Sequence, residues 1–530
     1  MKCELRGPRG RKIEVNETFI DKAIGYFDPI RGRKRFIARA QMAIAGGYIA
    51  GSKSRRETKE YTPLGNDPDT DILFDLETMR ARSRDMIRNN PIASGAIKTK
   101  VNNVIGTGIK LQARIDRDLL GMDDAEADEW ENRTERLWRL FWDNKRACDA
   151  AAEKTGDDLT RLVYNQALEN GDAFVLFPRV IRPGNINALK IQIVEADRIC
   201  NAGFAPDSED LVAGIQRDKL GAPTEYHIMK GHPGARRYMP RDQFTWERIQ
   251  ALSPLTGLPN VLHIMNATRP GQARGVPDLA PVIEPLKQLG RYTEAELMAA
   301  VVAGLFTVFV KSNEGEGELD LEDLEPETGG KESDKDYKLA PGAIVGLAEG
   351  EDIETANPNR PNAVFDPFVS SILQQVGACL GIGYELVIKQ FKTSYTAARA
   401  SLLEAWKYFR SERKWISVHF CQEVYALWLY EMISSRYIYA PGYYTDPMIR
   451  QAYQGTAWIG PGKGLIKEGE EIKAAQDRIK ALLSTWTDET AQLSGGDFDS
   501  NIRQINKEMT KIKDAGILAG LIQRSEGGTE

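Results

Sequence analysis

The run Asn266-Ala-Thr-Arg-Pro-Gly-Gln-Ala-Arg-Gly-Val-Pro-Asp-Leu-Ala-Pro281 constrains this chain more than any other. Proline fixes φ and withdraws an amide, while glycine turns where other residues cannot, so the segment reads as a rigid loop that hands the chain to a helix. The helix reading extends over Asp278 to Val310. Pro277 and Pro281 stand near its start, and Pro285 either resets that start or kinks the helix. At about 1.5 Å per residue such a helix spans several tens of ångströms. It is too long for a tight local hairpin and has to pack against something large.

A chain of 530 residues exceeds the size at which one hydrophobic core stops growing, so several domains or one elongated subunit are expected. Apolar content of 42% and charged content of 28% fit an ordinary folded protein and exclude a wholly disordered or collagen-like chain. Five scattered cysteines (Cys3, Cys148, Cys200, Cys379, Cys421) lack Cys-x-x-Cys spacing and read as small, reduced, buried residues. The first residues lack the apolar stretch of a secretory signal. The most apolar window, Leu297 to Val310, is shorter than the roughly 20 residues a membrane helix needs, so no membrane span is expected.

Net charge is −6 but uneven: residues 1 to 61 hold 15 Lys and Arg against 7 Asp and Glu, net +8. This basic arm either touches nucleic acid or an acidic surface, or is simply solvated. It shows little sustained period. From Asp71 the pattern turns helical, with Leu76, Met79, Met86 and Ile87 near one face; Asn89-Asn90-Pro91 ends that helix and Pro91 can open the next. Residues 123 to 142 form an amphipathic helix with Trp130, Trp138 and Trp142, a stripe that reads as core in preference to a base-stacking surface. After a helix ending at Asn170-Gly171, strands are expected at Ala173 to Val180, Ala188 to Val194, Ile215 to Arg217, Glu225 to Met229 and Val261 to Met265.

Beyond the long helix, Ser312 to Tyr337 carries 11 acidic residues and 2 lysines and cannot bury much apolar surface, so an exposed insertion is expected. A strand-like piece follows at Lys338 to Leu347. Helices are read at Pro367 to Leu380, Thr396 to about Ile433, Glu468 to Ser484 and Ser500 to Ala515, with a short loop, Tyr384 to Tyr395, after Gly381-Ile-Gly383.

The near-matches to catalytic patterns do not fit. Ala457-Trp-Ile-Gly-Pro-Gly-Lys-Gly464 lacks the leading Gly of a phosphate loop and has Gly464 where Ser or Thr must hold Mg²⁺. Gly106-Thr-Gly108 and Gly381-Ile-Gly383 lack the third dinucleotide glycine, Leu111 and Leu386 standing there. Asp67-Pro-Asp-Thr-Asp71 has Ile72 and Thr78 where a calcium loop needs Gly and Glu. The four histidines (His227, His232, His263, His419) have no zinc spacing, and Ser411-Glu-Arg-Lys414 is a Ser-x-x-Lys match inside a helix. No enzyme, cofactor or metal is expected.

Six segments, however, stand in a telling order. Arg82-Ser-Arg-Asp-Met-Ile-Arg-Asn-Asn-Pro91, leading to Asn102-Asn-Val-Ile-Gly-Thr-Gly-Ile109, comes first, then Glu169-Asn-Gly-Asp-Ala-Phe-Val175 and Glu195-Ala-Asp-Arg198. The 266 to 281 run follows, then Phe391-Lys-Thr-Ser-Tyr-Thr-Ala-Ala-Arg-Ala-Ser-Leu-Leu-Glu-Ala-Trp406 and Ala457-Trp-Ile-Gly-Pro-Gly462. Over roughly residues 72 to 516 the chain resembles the portal proteins of lambda-like tailed bacteriophages. The resemblance implies an α+β portal-protein fold: a basic N-terminal arm (1–70), an α+β wing (71–277), a stem helix (278–310) and a clip with the acidic insertion (311–363). A second stem helix (364–383), a channel loop (384–395), a long wing helix (396–437) and a helical C-terminal wing and crown (438–530) complete it.

The same resemblance implies a ring, usually twelvefold, at the capsid vertex of the virion, assembled in the host cytoplasm, through which double-stranded DNA is packaged and ejected. The partners implied are the terminase motor, the major capsid protein and scaffold, and head-completion and tail-connector proteins. Tyr384, Lys389, Lys392 and Tyr395 of the channel loop would face DNA; the alternative is a loop packed between subunits with its lysines in solvent. A DNA-packaging enzyme, a terminase-like ATPase or nuclease, is disfavoured by its missing motifs, and a membrane channel by the missing apolar span.

Overall fold

The computed structural model describes residues 2–6, 12–16, 19–44, 56, 58, 60–235, 244–305, 309–312, 351–354, 365–390, 395–463 and 467–514. They fall into two units, Met1–Asp67 and Pro68–Glu530.

In the first unit β1 (Lys2–Arg6) and β2 (Lys12–Asn16) form an antiparallel hairpin with Leu5 opposite Ile13. Helices α1 (Phe19–Phe27) and α2 (Pro29–Ile44) follow. Asp28 between them accepts from the amides of Ile30 and Arg31 at 3.1 Å each. A carboxylate before Pro29 is a helix start signal that satisfies amides α2 leaves open, and it organises a stretch whose sequence shows little period.

The second unit opens with α3 (Pro68–Asn89) and α4 (Pro91–Val104). Asn90 Oδ1 accepts from Ile92 N and Ala93 N at 3.0 Å, and Pro91 opens α4 as its residue type predicts. Next come β3 (Lys110–Ala113), α5 (Arg117–Leu120), α6 (Asp124–Trp142), α7 (Lys145–Cys148) and α8 (Gly156–Asn170). Asp123 and Glu126 close a capping box on α6. Trp130, Trp138 and Trp142 are all buried; Trp138 stacks on Trp142 at 4.7 Å and meets Trp428 edge-on at 5.2 Å. The tryptophan stripe is core, each buried ring stabilising by about 1.5–3 kcal/mol.

Two small sheets follow. Strands β4 (Asp172–Leu176) and β5 (Gln192–Val194) precede the meander β6 (Leu211–Val212), β7 (Ile215–Arg217), β8 (Pro223–Met229) and β9 (Trp246–Gln250), and β10 (Val261–Met265) returns to pair with β4. The orders are β10-β4-β5 and β6-β7-β8-β9, antiparallel throughout. Phe174 of β4 packs with Ile215, Tyr226 and Ile228 of the meander in a second, smaller core.

A 3₁₀ turn, Ala280–Val282, leads into α9 (Ile283–Leu305), in which Pro285 lies in the first turn, so it sets the start and does not kink the helix. The helix ends at Leu305, short of the expected Val310. Instead β11 (Phe309–Ser312) pairs with β12 (Glu351–Glu354). The run Phe306-Thr-Val-Phe-Val310 is β-branched and aromatic, and such residues lose side-chain freedom in a helix but suit a pleated strand. The acidic stretch and the strand reading at 338 to 347 lie outside the described residues, Ser312 apart.

Helices α10 (Phe365–Cys379), α11 (Tyr384–Ile388) and α12 (Tyr395–Ile416) come next, and α12 continues through a π turn, Ser417–Cys421, into α13 (Gln422–Ser434). The wider turn shifts the helical phase, and on either side Ile416, Phe420, Val424 and Trp428 all stay buried in the main core. The chain then adds α14 (Pro447–Tyr453), β13 (Thr456–Ile459), α15 (Glu468–Lys480), α16 (Trp486–Ser494) and α17 (Phe498–Asp514). Strand β13 pairs with β3, Trp458 opposite Leu111, and so stitches the C-terminal part to the start of the unit. Among the described residues no helix is long and apolar enough to cross a membrane.

Candidate functional site

Four distant segments of the chain meet around one carboxylate. Asp172 begins β4 directly after Gly171, the left-handed C-cap of α8, and is fully buried. Its Oδ2 accepts from Arg274 Nε at 2.7 Å and lies 3.3 Å from His263 Nε2; its Oδ1 accepts from Arg80 at 2.7 Å. Arg274 also donates to the carbonyls of Ala196, Ile199 and Ala213 at 2.8–3.1 Å, and Arg80 Nε donates to Asn170 O at 2.9 Å.

Burial alone would push the Asp172 carboxyl up; Arg274 and Arg80 outweigh it and hold it well below the usual carboxylate range. Burial draws Arg80 down to about 10, still protonated at neutral pH. Burial also lowers His263 against the pull of Asp172, which keeps the ring neutral. Removing one partner of such a pair leaves an uncompensated buried charge, at a cost of about 3–5 kcal/mol.

The two backbones touch here. A Cβ on Gly275 would stand 1.9 Å from Gly171 O, and one on Gly171 would stand 2.4 Å from the Gly275 carbonyl carbon. Glycine in both Asn-Gly-Asp and Ala-Arg-Gly is what lets Asp172 and Arg274 come together.

A second carboxylate extends the network. Asp197 pairs with Arg84 and, at 3.5 Å, with Arg80; Glu195 lies 3.3 Å from Arg84, and His232 is 3.3 Å from Asp197 and 3.5 Å from Glu195. The ligand atoms of Glu195, Asp197 and His232 lie within 4.8 Å of one another. Arg84 lies on both carboxylates and, with Arg80 on Asp197, offsets part of the negative charge they would offer a cation. In this structure the group forms an ion-pair network.

At the head of α9 a third buried charge recurs. Lys100 Nζ, on α4, donates to Asp278 Oδ2 at 2.7 Å and stands 4.9 Å from the ring centre of Tyr408 on α12. Burial would lower its pKa, and Asp278 outweighs that, so the ammonium keeps its proton. Beside it Tyr164 donates to Glu412 at 3.1 Å. The contacts tie α4, α8, the approach to α9, and α12 into one block. The arrangement builds a rigid junction.

The residues expected in a channel loop fall partly on helices. Tyr384 opens a single helical turn, not a loop: its hydroxyl pairs with Ser370 Oγ of α10 at 2.9 Å, and Val387 is buried. Glu385 accepts from Ser401 of α12 at 2.9 Å. Gly-Ile-Gly before the turn, followed by Tyr-Glu-Leu-Val-Ile, gives an apolar face that docks on its neighbours. Lys389 is exposed and sits at the left-handed C-cap, φ 55°. Lys392 lies outside the described residues, and Tyr395 begins α12. The near-match to a phosphate loop is closed as well: Lys463 N donates to Gln492 O at 3.2 Å, and its ammonium lies 3.2 Å from Glu471.

Residues 54–413 match the family model described as phage portal protein, lambda family. Portal protein B of Escherichia phage lambda is 26% identical over 497 residues, spanning 89% of this chain and 91% of its own length. The portal protein of Escherichia phage N15 is 24% identical over the same shares. Among solved structures, a chain from the neck of an empty gene transfer agent particle, computed with C6 symmetry, overlaps 78% of this chain and 92% of its own at 12% identity and a TM-score of 0.45.

Proposed function

The chain belongs to the lambda family of phage portal proteins, and from that premise we propose how its parts serve a portal vertex, the DNA conduit of a phage head. The family is structural; no group in the buried networks is placed to act as a catalyst, which favours a non-enzymatic subunit over a packaging ATPase or nuclease.

The observation that carries the proposal is unpartnered apolar surface on the helices of the expected stem and wing. Leu297, Met298 and Val301 on α9 are 65%, 58% and 49% exposed, and Phe368 on α10 and Leu403 on α12 are about half exposed. Such rows on rigid helices are covered in a stable assembly. A face that meets a different face of the next copy closes into a ring when the rotation permits, and twelve copies is the expected number.

In that ring the segment 384 to 395 lies at the narrowest part, with Lys389 and Lys392 making weak, screened contacts with passing phosphates. A conduit that gripped phosphates tightly would stall DNA, and a net charge of −6 suits passage better than retention. The acidic stretch within 312 to 337 faces the packaging motor first and a head-completion protein later, its crowded like charges kept solvated and open to a basic partner. Capsid protein and scaffold contact the outer rim, with assembly in the host cytoplasm.

The test replaces Lys389 and Lys392 with Ala in an infectious or in vitro packaging system. Intact rings with defective filling or leaky heads support the role; wild-type filling and retention remove it. Deleting Glu316 to Lys335 leaves rings intact and impairs partner docking, which a pull-down with the motor and head-completion proteins reads directly.

A further inference from the structure

Helix α12 keeps one face that its own chain does not cover. Arg399, Leu403, Lys407, Arg410 and Lys414 follow one another at steps of three and four, so they share one side of the helix over about 22 Å. All five are exposed. Lys407 meets Glu404 at 2.9 Å, an exposed pair on the edge of the row; Arg399, Arg410 and Lys414 meet no acid among the described residues. Leu403, in the middle of the cations, is 48% exposed. An apolar side chain at that place suits a protein partner better than a phosphate backbone.

The same chain carries the complement. Residues 116–129 hold seven Asp and Glu against one Arg, and all eight are exposed. Asp116, Asp123 and Glu126 accept from amides at the starts of α5 and α6 and in the turn before α6. Arg117 meets Asp118 at 3.9 Å and also pairs with Asp124. Asp128, one turn beyond Asp124, and Glu129 meet no cation among the described residues. Leu119 lies within this surface and is 41% exposed, as Leu403 lies within the other.

We infer that the basic face of α12 in one copy docks on the acidic α5–α6 surface of the next copy. This rests on the ring reading above and gives that ring its pairing rule. Either face set against itself brings like charges together, which electrostatic selection between surfaces disfavours. The contact therefore joins two different surfaces of the chain, the type that closes into a ring and not into a two-fold pair. The exposed leucine of each face sits inside a charged rim, as the apolar centre of a protein interface does.

The test exchanges the charges in full-length chains and reads particle size by mass photometry and electron microscopy. Four proteins are compared: wild type, Arg410→Glu/Lys414→Glu on α12, Asp118→Lys/Asp128→Lys on α5 and α6, and one chain with all four changes. Circular dichroism and urea midpoints confirm that each is folded. Each two-residue variant alone sets like charges across every contact, so its association weakens roughly tenfold or more against wild type. The two variants mixed in equal amounts regain large particles, because each supplies the sign the other has lost, and the four-change chain assembles by itself. Two-residue variants that assemble like wild type, or a mixture and a four-change chain that stay dissociated, overturn the inference while wild-type rings stand; a wild type that never assembles overturns both readings. Normal particles of the α12 variant that have lost affinity for a fluorescein-labelled duplex give the row to DNA and overturn the inference equally.

Discussion

Asp172 shows how a single residue can hold four distant segments. Asp172→Asn removes the charge that balances Arg80 and Arg274, and the expected loss is about 3–5 kcal/mol of unfolding free energy, read by urea denaturation at neutral pH. The pH dependence follows from the depressed pKa. The contribution is full above the unfolded value of about 3.9 and is lost as pH falls through the lower folded value. The Asn variant should therefore show a flatter stability curve below about pH 4; an acid limb as steep as wild type would contradict the assignment. Glu135 runs the other way. Burial raises it to about 7, against the hydrogen bond from Ala113 N, so its contribution is present below about pH 4.5 and lost as pH rises through 7. Glu135→Gln should remove that decline and be the more stable protein at pH 8, by up to about 3 kcal/mol. Neither role was legible in the sequence. Asp172 and Arg274 lie 102 positions apart, and the only local hint was a charge beside a glycine at the edge of an apolar run.

Elements were far more legible than sites, because their signals are local. Asn90-Pro91, Asp123 with Glu126, and Asn170-Gly171 carry their helix ends in a few residues, and α3, α4, α6 and α8 form where those caps put them. Misreadings arose where an apolar run served two periods. Phe306 to Val310 reads as more helix, yet Phe309–Ser312 is a strand, and Tyr384–Ile388 is a helix turn inside what reads as a loop. Helix α16 (Trp486–Ser494) escaped the sequence reading although Thr485 caps it through Asp488 N at 3.1 Å. The element-scale prediction concerns the backbone contact that joins the motifs. Gly275→Ala has no room beside Gly171 O and should lower thermal stability by several degrees, as expected for a strained core position; Gly290→Ala, on α9 with nothing within 4 Å, serves as the silent control. Equal melting temperatures for both would show that the two backbones separate easily.

At the scale of the whole molecule, buried charge networks tie the elements together while α9, α10 and α12 keep apolar side chains exposed, which is the division of labour the proposed ring requires. Replacing Leu297, Met298 and Val301 with Gln should leave the monomer's circular dichroism and urea midpoint near wild type, because these side chains are exposed, and should abolish assembly. The most direct test of the central claim is electron microscopy of the purified wild-type chain, combined with mass photometry at micromolar concentration. The account predicts closed rings with an axial hole, formed without nucleotide or metal and lost in the triple variant. Monomers alone, with and without a scaffold protein, would contradict it.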